Sequence, residues 1–136
     1  MINRILVGTD TTASADLAVT AAADLARAHR AELVVVYVRP QADAREAVDP
    51  AKLPDPAGYL RTMPGRFPDL AVRTRLEAGD PGRALSDVAE EVAADVIVVG
   101  NRGTHGRRRW FLRSVPSAVV RRSPCSVYVV DTRVAQ

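Results

Sequence analysis

Val96-Ile97-Val98-Val99-Gly100-Asn101-Arg102-Gly103 runs from an apolar stretch into a glycine-punctuated loop, and nine residues later Arg113-Ser114 opens a helical stretch that ends near Arg122. An unbroken aliphatic run of this kind suits a strand buried on both faces, as in a parallel sheet covered by helices. Glycines let main-chain N–H groups approach a ligand closely, and a helix start at Ser114 adds unpaired donors and a dipole that favours anions. Phosphate is the natural guest of such a strand–loop–helix unit. On spacing alone, a plain connecting turn is an equally good reading.

Working outward, strand and helix patterns alternate along the chain. Residues 3–9 read as a strand, with Ile5, Leu6 and Val7 ended by Gly8 and the polar Thr9-Asp10-Thr11-Thr12. Residues 13–30 read as a helix in which Leu17, Ala21 and Leu25 form an apolar stripe widened by Ala18, Ala22 and Ala28. Residues 32–38 form a second strand, apolar on both faces. Residues 71–77 alternate Val72, Thr74 and Leu76 against Arg73 and Arg75, the pattern of a half-exposed edge strand. Asp80-Pro81 gives an N-cap acceptor and a first-turn proline to a helix with Ala84, Leu85, Val88, Ala89 and Val92 on one face. Residues 95–99 are a buried strand, Ser114 caps a final helix running to about Arg122, and 126–130 form the last strand.

This order predicts an α/β fold with a doubly wound parallel sheet. Ligands in such sheets bind outside the carboxyl ends of the strands, where strand order reverses. The candidate loops are therefore 9–12, the end of the second strand near Val38, and Gly100 onward. Between Pro40 and Pro68 the pattern breaks, because Pro50, Pro54, Pro56 and Pro64 exclude a long helix. A short helix at 56–63 fits, with Tyr59, Leu60 and Met63 as its apolar face. The 136 residues, 47% of them hydrophobic, suit one domain over 1–136 with an irregular segment at about 40–68.

Composition narrows the function. The apolar runs are far shorter than the roughly 20 residues a bilayer crossing needs, so no membrane partner is expected. The N-terminus reads as a strand without a cleavable signal, which makes the expected location cytoplasmic. Cys125, the lone cysteine, excludes an internal disulfide framework or a cysteine metal cluster and reads as a small structural residue. His29 and His105 lack metal-ligand spacing. The net charge of +3 is spread over dispersed arginines and aromatics are only 4%, which argues against a nucleic-acid binder. Arg102 and Arg107-Arg108-Arg109 read as a lid over phosphates or as a solvated loop, the second reading being preferred. Trp110-Phe111-Leu112 suit an anchor on the sheet or a contact with a dimer partner.

Neither a P-loop nor the Rossmann Gly-x-Gly-x-x-Gly is present. Several separated motifs nevertheless resemble the universal stress protein family. They are Ile-Leu-Val-Gly-Thr-Asp at 5–10, Gly79-Asp80-Pro81, Val-Val-Gly-Asn-Arg-Gly at 98–103, Leu-Arg-Ser-Val-Pro-Ser at 112–117 and Arg-Arg-Ser-Pro-Cys-Ser-Val-Tyr-Val-Val at 121–130. Nucleotide-binding members of that family carry Gly-x2-Gly-x9-Gly-Ser/Thr before the last helix. The resemblance implies a five-stranded sheet in the order 3-2-1-4-5 and a homodimer paired through residues 126–130. It also implies an adenine nucleotide, ATP or cyclic AMP, with magnesium accompanying ATP.

On the same resemblance, Asp10 and Val38 meet the adenine and ribose end, and Gly100 and Gly103 line the phosphate loop. Ser114 and Val115 supply hydroxyl and backbone contacts. Asn101 with Ser114-Val115-Pro116 resembles actinobacterial members that prefer cyclic AMP. Two residues depart from the pattern. Arg113 replaces the third motif glycine, where its Cβ would block the approach to phosphate or its guanidinium would grip it. Thr11 stands where many relatives have glycine, and Asp10 beside it also fits a helix-capping role.

No Ser-His-Asp arrangement and no paired carboxylates emerge, so no enzyme is expected, and the resemblance implies a stress-response or signalling module. The alternatives are a nucleotide-free dimeric interaction module of the same family, a weak ATPase, and a basic adaptor for nucleic acid.

Overall fold

A computed structural model describes residues 1–39, 55–101 and 114–132, with the side chains of Ser114 and Val115 excepted. The elements are β1 (Arg4–Thr9), α1 (Ala13–His29), β2 (Glu32–Arg39), α2 (Pro56–Arg61), α3 (Met63–Arg66), β3 (Val72–Ala78), α4 (Pro81–Val92), β4 (Val96–Gly100), α5 (Ser114–Arg122) and β5 (Ser126–Val130). The strands form one sheet in the order β3-β2-β1-β4-β5, and every pairing is parallel. The expected fold class and strand order are both found.

The period of two along each strand divides the core. Ile5, Val7, Leu33, Val35, Tyr37, Val96 and Val98 face α1, α2 and α3. Leu6, Val34, Val36, Val38, Ile97 and Val99 face α4 and α5, where they meet Leu85, Val88, Val92 and Val119. With helices on both faces, the central stretches of β1, β2 and β4 must be apolar on both sides, as Ile5–Val7, Leu33–Val38 and Val96–Val99 are. β3 is the expected edge strand of mixed exposure, but its alternation does not hold at Arg75 and Leu76: Leu76 is 46% exposed, while Arg75 is partly buried and paired with Glu77 and Glu91.

Helix α1 corrects one reading. Its buried face is Ser14, Ala15, Ala18, Val19, Ala22, Ala23 and Ala26, while Leu17, Ala21 and Leu25 are only partly buried and Ala28 is exposed. The sheet beneath is already filled by branched side chains, so the helix rests on its small residues and the leucines flank the contact. α1 and α4 end on Arg30 and Ala93 in the left-handed region, at φ +55° each. In both, the next N–H returns to the last turn, Ala31 to Ala26 at 2.9 Å and Ala94 to Ala89 at 2.8 Å.

The short helix expected at 56–63 is instead two turns, α2 and α3, which divide at Thr62. Pro64 has no N–H to offer the Leu60 carbonyl and its ring crowds that oxygen, so α2 cannot continue. Leu60 and Met63 are buried as expected. Gly79 follows β3 at φ +117°, a conformation an L side chain rarely adopts, and Asp80 then caps α4 by accepting from Arg83 N at 2.9 Å.

Candidate functional site

The strand order turns back between β1 and β4: the connection from β1 leaves over one face and that from β4 over the other. Their carboxyl ends therefore open a crevice. Asp10, directly after β1, is 2% exposed. Its Oδ1 accepts the Thr12 N–H at 3.0 Å and the Thr12 hydroxyl. Thr12 is the N-cap of α1, and its Oγ1 accepts from Ala15 N at 3.2 Å. The capping role considered for Asp10 thus belongs to Thr12, and Asp10 braces the cap.

Between them, Thr11 sits at φ +71°, in the left-handed region. A β-branched residue is strained there, which is the physical reason glycine suits this position. Its N–H is held by Thr9 Oγ1 at 3.1 Å. Releasing this strain outweighs the added chain entropy of glycine, so Thr11→Gly is expected to raise stability by about 1 kcal/mol. Denaturant unfolding of the two proteins checks it.

On the neighbouring strand, Gly100 is buried and ends β4 beside Val130 of β5. Asn101 closes this corner. Its N–H donates to the Val130 carbonyl at 3.0 Å, and its Oδ1 accepts from Thr132 N at 3.0 Å and the Thr132 hydroxyl at 3.3 Å. The Asn101 side-chain amide oxygen is therefore tied to the chain leaving β5. Val38 lies near the end of β2 with its side chain fully buried against the α4 layer. Ser114 and Val115 form the first turn of α5. Gly103 and Arg113, with Arg102, the arginines at 107–109 and Trp110-Phe111-Leu112, lie outside the described residues.

A polar group that local sequence spacing did not signal stands beside this crevice. Asp16, in the first turn of α1, receives the Tyr59 hydroxyl at 2.8 Å and the Arg66 guanidinium on both carboxylate oxygens, at 2.7 Å on Oδ2. Burial works against the Asp16 carboxylate, but the hydrogen bonds from Arg66 and Tyr59 and the Arg66 charge hold it below the ordinary value of 3.8. Its stabilising effect is accordingly present above that value and lost as pH falls through the lower folded one. Burial pushes the Tyr59 phenol up to about 12; the Thr9 hydroxyl opposes the shift and the Asp16 charge adds to it.

Two surface depressions lie elsewhere. One, of about 570 Å³, sits at the opposite, amino end of the strands, where Arg27 is engaged with Asp24 and Asp69. The other, of about 640 Å³, runs beside β5 between Pro116, Ser117, Val120, Arg121 and Val129.

A model of the universal stress protein family matches residues 1–131. The chain belongs to the universal stress protein family. Among its relatives, a universal stress protein of Staphylococcus saprophyticus is 32% identical over 141 aligned positions, which cover 94% of this chain and 83% of that one. A crystal structure of a universal stress protein in complex with cAMP matches with a TM-score of 0.71 at 31% identity, over 96% of this chain and 98% of that one. The universal stress protein UspA from Lactobacillus plantarum matches with a TM-score of 0.74 at 27% identity, over 95% and 97%. Among the described residues of this universal stress protein, no helix is long and apolar enough to cross a membrane.

Proposed function

We propose that the chain, acting as one domain over residues 1–136, binds an adenine nucleotide, cyclic AMP or ATP, in the crevice at the carboxyl ends of β1 and β4, and serves as a cytoplasmic stress-response module. The carrying observation is the likeness over nearly the whole chain to a relative solved with cAMP, joined to an acidic side chain held rigid where the strand order turns back. In this reading Asp10 receives the ribose. Val38, its side chain being spent in the core, offers its main chain to the base. Gly100, Gly103, Arg113, Ser114 and Val115 surround the phosphates at the start of α5, where main-chain donors and the helix dipole favour anions.

Calorimetric titration with cAMP, ATP and ADP tests this reading. Saturable binding is expected, weakened at least tenfold by Asp10→Ala, since a buried charge-assisted contact is worth about 1.5–3 kcal/mol. Absence of binding at millimolar nucleotide overturns it. Arg113→Gly then separates a phosphate-gripping arginine, whose loss weakens binding, from an obstructing one, whose loss strengthens it. Among the described residues no group of three or more His, Cys, Asp or Glu converges to hold a metal, so magnesium enters this reading only alongside a triphosphate. The reading is of a binder and not an enzyme. Steady phosphate release from ATP, above a Gly103→Asp control, would replace it with slow hydrolysis.

A second reading, compatible with the first, is pairing of two copies through β5. This edge strand exposes Tyr128 at 51% and Val129 at 44%, and Val120 of α5 adds 57%. Uncovered main-chain groups beside an apolar patch invite a matching edge, and a second copy supplies one by two-fold symmetry. Sedimentation is expected to show a dimer that Val129→Glu converts to monomer. A monomeric parent protein would remove this reading.

A further inference from the structure

The α2–α3 segment reaches the candidate crevice through one carboxylate. Tyr59 Oη donates to Asp16 Oδ1 at 2.8 Å, and Arg66 grips both oxygens and also donates to Thr20 Oγ1 at 3.2 Å. Asp16 in turn donates its main-chain N–H to the Thr12 carbonyl at 2.9 Å. Thr12 carries Asp10, through its own N–H at 3.0 Å and its hydroxyl. Two residues thus separate the Tyr59–Arg66 pair from the Asp10 carboxylate, and every step is a hydrogen bond.

The segment is held firmly enough to act on what it touches. Leu60, Met63 and Phe67 are buried in the α1-side core, and the Arg66 guanidinium lies 5.1 Å from the Phe67 ring centre. The turn it would act on is strained at Thr11, so it needs outside support to keep its shape. An isolated surface ion pair would contribute little. This one is forked, shares its acceptor with a half-buried phenol and sits on a packed segment, which makes it a fixed strut.

We infer that Asp16, Tyr59 and Arg66 form a clasp that sets the Asp10–Thr12 turn, which makes them positioning residues for the ligand crevice. Its consequence for affinity rests on the nucleotide reading; its consequence for the turn does not. The clasp carries the state of the 55–66 segment to Asp10, so a change in that segment alters the crevice without touching the ligand.

Tyr59→Phe keeps the ring and removes the phenol's hydrogen bond from the clasp. Amide exchange at Thr11 and Thr12 in the unliganded protein is expected to quicken roughly five- to tenfold, the loss of about one buried hydrogen bond. Affinity for cAMP should fall by a similar factor. Asp69→Asn, which breaks the Arg27 pair at the other end of α1, is the control and should leave both amides unchanged. Unchanged amides in Tyr59→Phe overturn the clasp, as does equal quickening by the control, which would mean general loosening. Should Tyr59→Phe unfold too readily, Arg66→Lys removes the fork and keeps the charge, with the same outcomes expected. If the parent protein binds no nucleotide, the proposed function fails while the amide comparison still decides the clasp.

Discussion

Ile97→Ala is expected to cost about 3–4 kcal/mol of folding stability, the upper part of the range for truncating a buried aliphatic side chain. Ile97 is fully buried as the second residue of β4, facing α4 and α5, with Leu6 beside it on β1 and Val127 on β5. Its neighbours Val34, Val36, Leu85, Val88 and Val119 belong to the same cluster. Most are branched at Cβ and stiff, and the strand is pinned on both sides, so the void cannot close by sliding. The deletion thus loses both the transfer energy and the dispersion contacts across the gap. Urea unfolding followed by circular dichroism measures the cost. Leu76→Ala on edge strand β3, at 46% exposed, supplies the contrast, with a cost under about 1 kcal/mol. Equal costs would mean that the α4 layer packs loosely and the cavity collapses.

The features that made Ile97 recognisable as core are those that made the fold legible. Four aliphatic residues in a row have no polar face, so helices must cover both sides of the strand, and this forces the βα alternation. Asp80-Pro81 and Ser126–Val130 likewise lie where their chemistry placed them, since an N-cap and an apolar strand depend on neighbours in sequence. Helix α1 was misread because periodicity marks an apolar stripe without showing how near the sheet lies. Here the approach is close enough for alanine, and the leucines were displaced to its flanks.

The candidate site was legible only where it is local. Asp10 and Gly100 were placed correctly at strand ends because a strand followed by a polar or glycine turn ends there. The division of labour between Asp10 and Thr12 depends on a φ of +71° at Thr11, which no residue type announces. Asp16, Tyr59 and Arg66 were missed for a different reason. Forty-three and fifty positions separate Asp16 from its partners, and only the packing of Leu60 and Met63 brings them together. The parts played by Gly103 and Arg113 rest on the titration of the Arg113→Gly variant.

Gly82→Val should cost about 2–3 kcal/mol, for a reason the Gly79-Asp80-Pro81 motif does not contain. A Cβ built at Gly82 would lie 2.8 Å from the Ala118 Cβ, closer than two such atoms come. Ala118 cannot yield by turning a rotamer, because its Cβ is fixed to the backbone of α5. The helices must separate, and forcing methyl groups into a packed interface typically costs 1–3 kcal/mol. Valine recovers little in return, since its helix propensity is only slightly above that of glycine. The displaced element is α5, whose first turn holds Ser114 and Val115, so on the proposed function the strain is also expected to weaken cAMP binding. Ala118→Gly removes the opposing Cβ at a helix-interior cost of about 1 kcal/mol. The double variant should therefore be more stable than the sum of the two single costs by at least 1 kcal/mol, a coupling that contact between the two positions requires. Additive costs would show that α4 and α5 separate freely, and that Gly82 does not fix where the last helix begins.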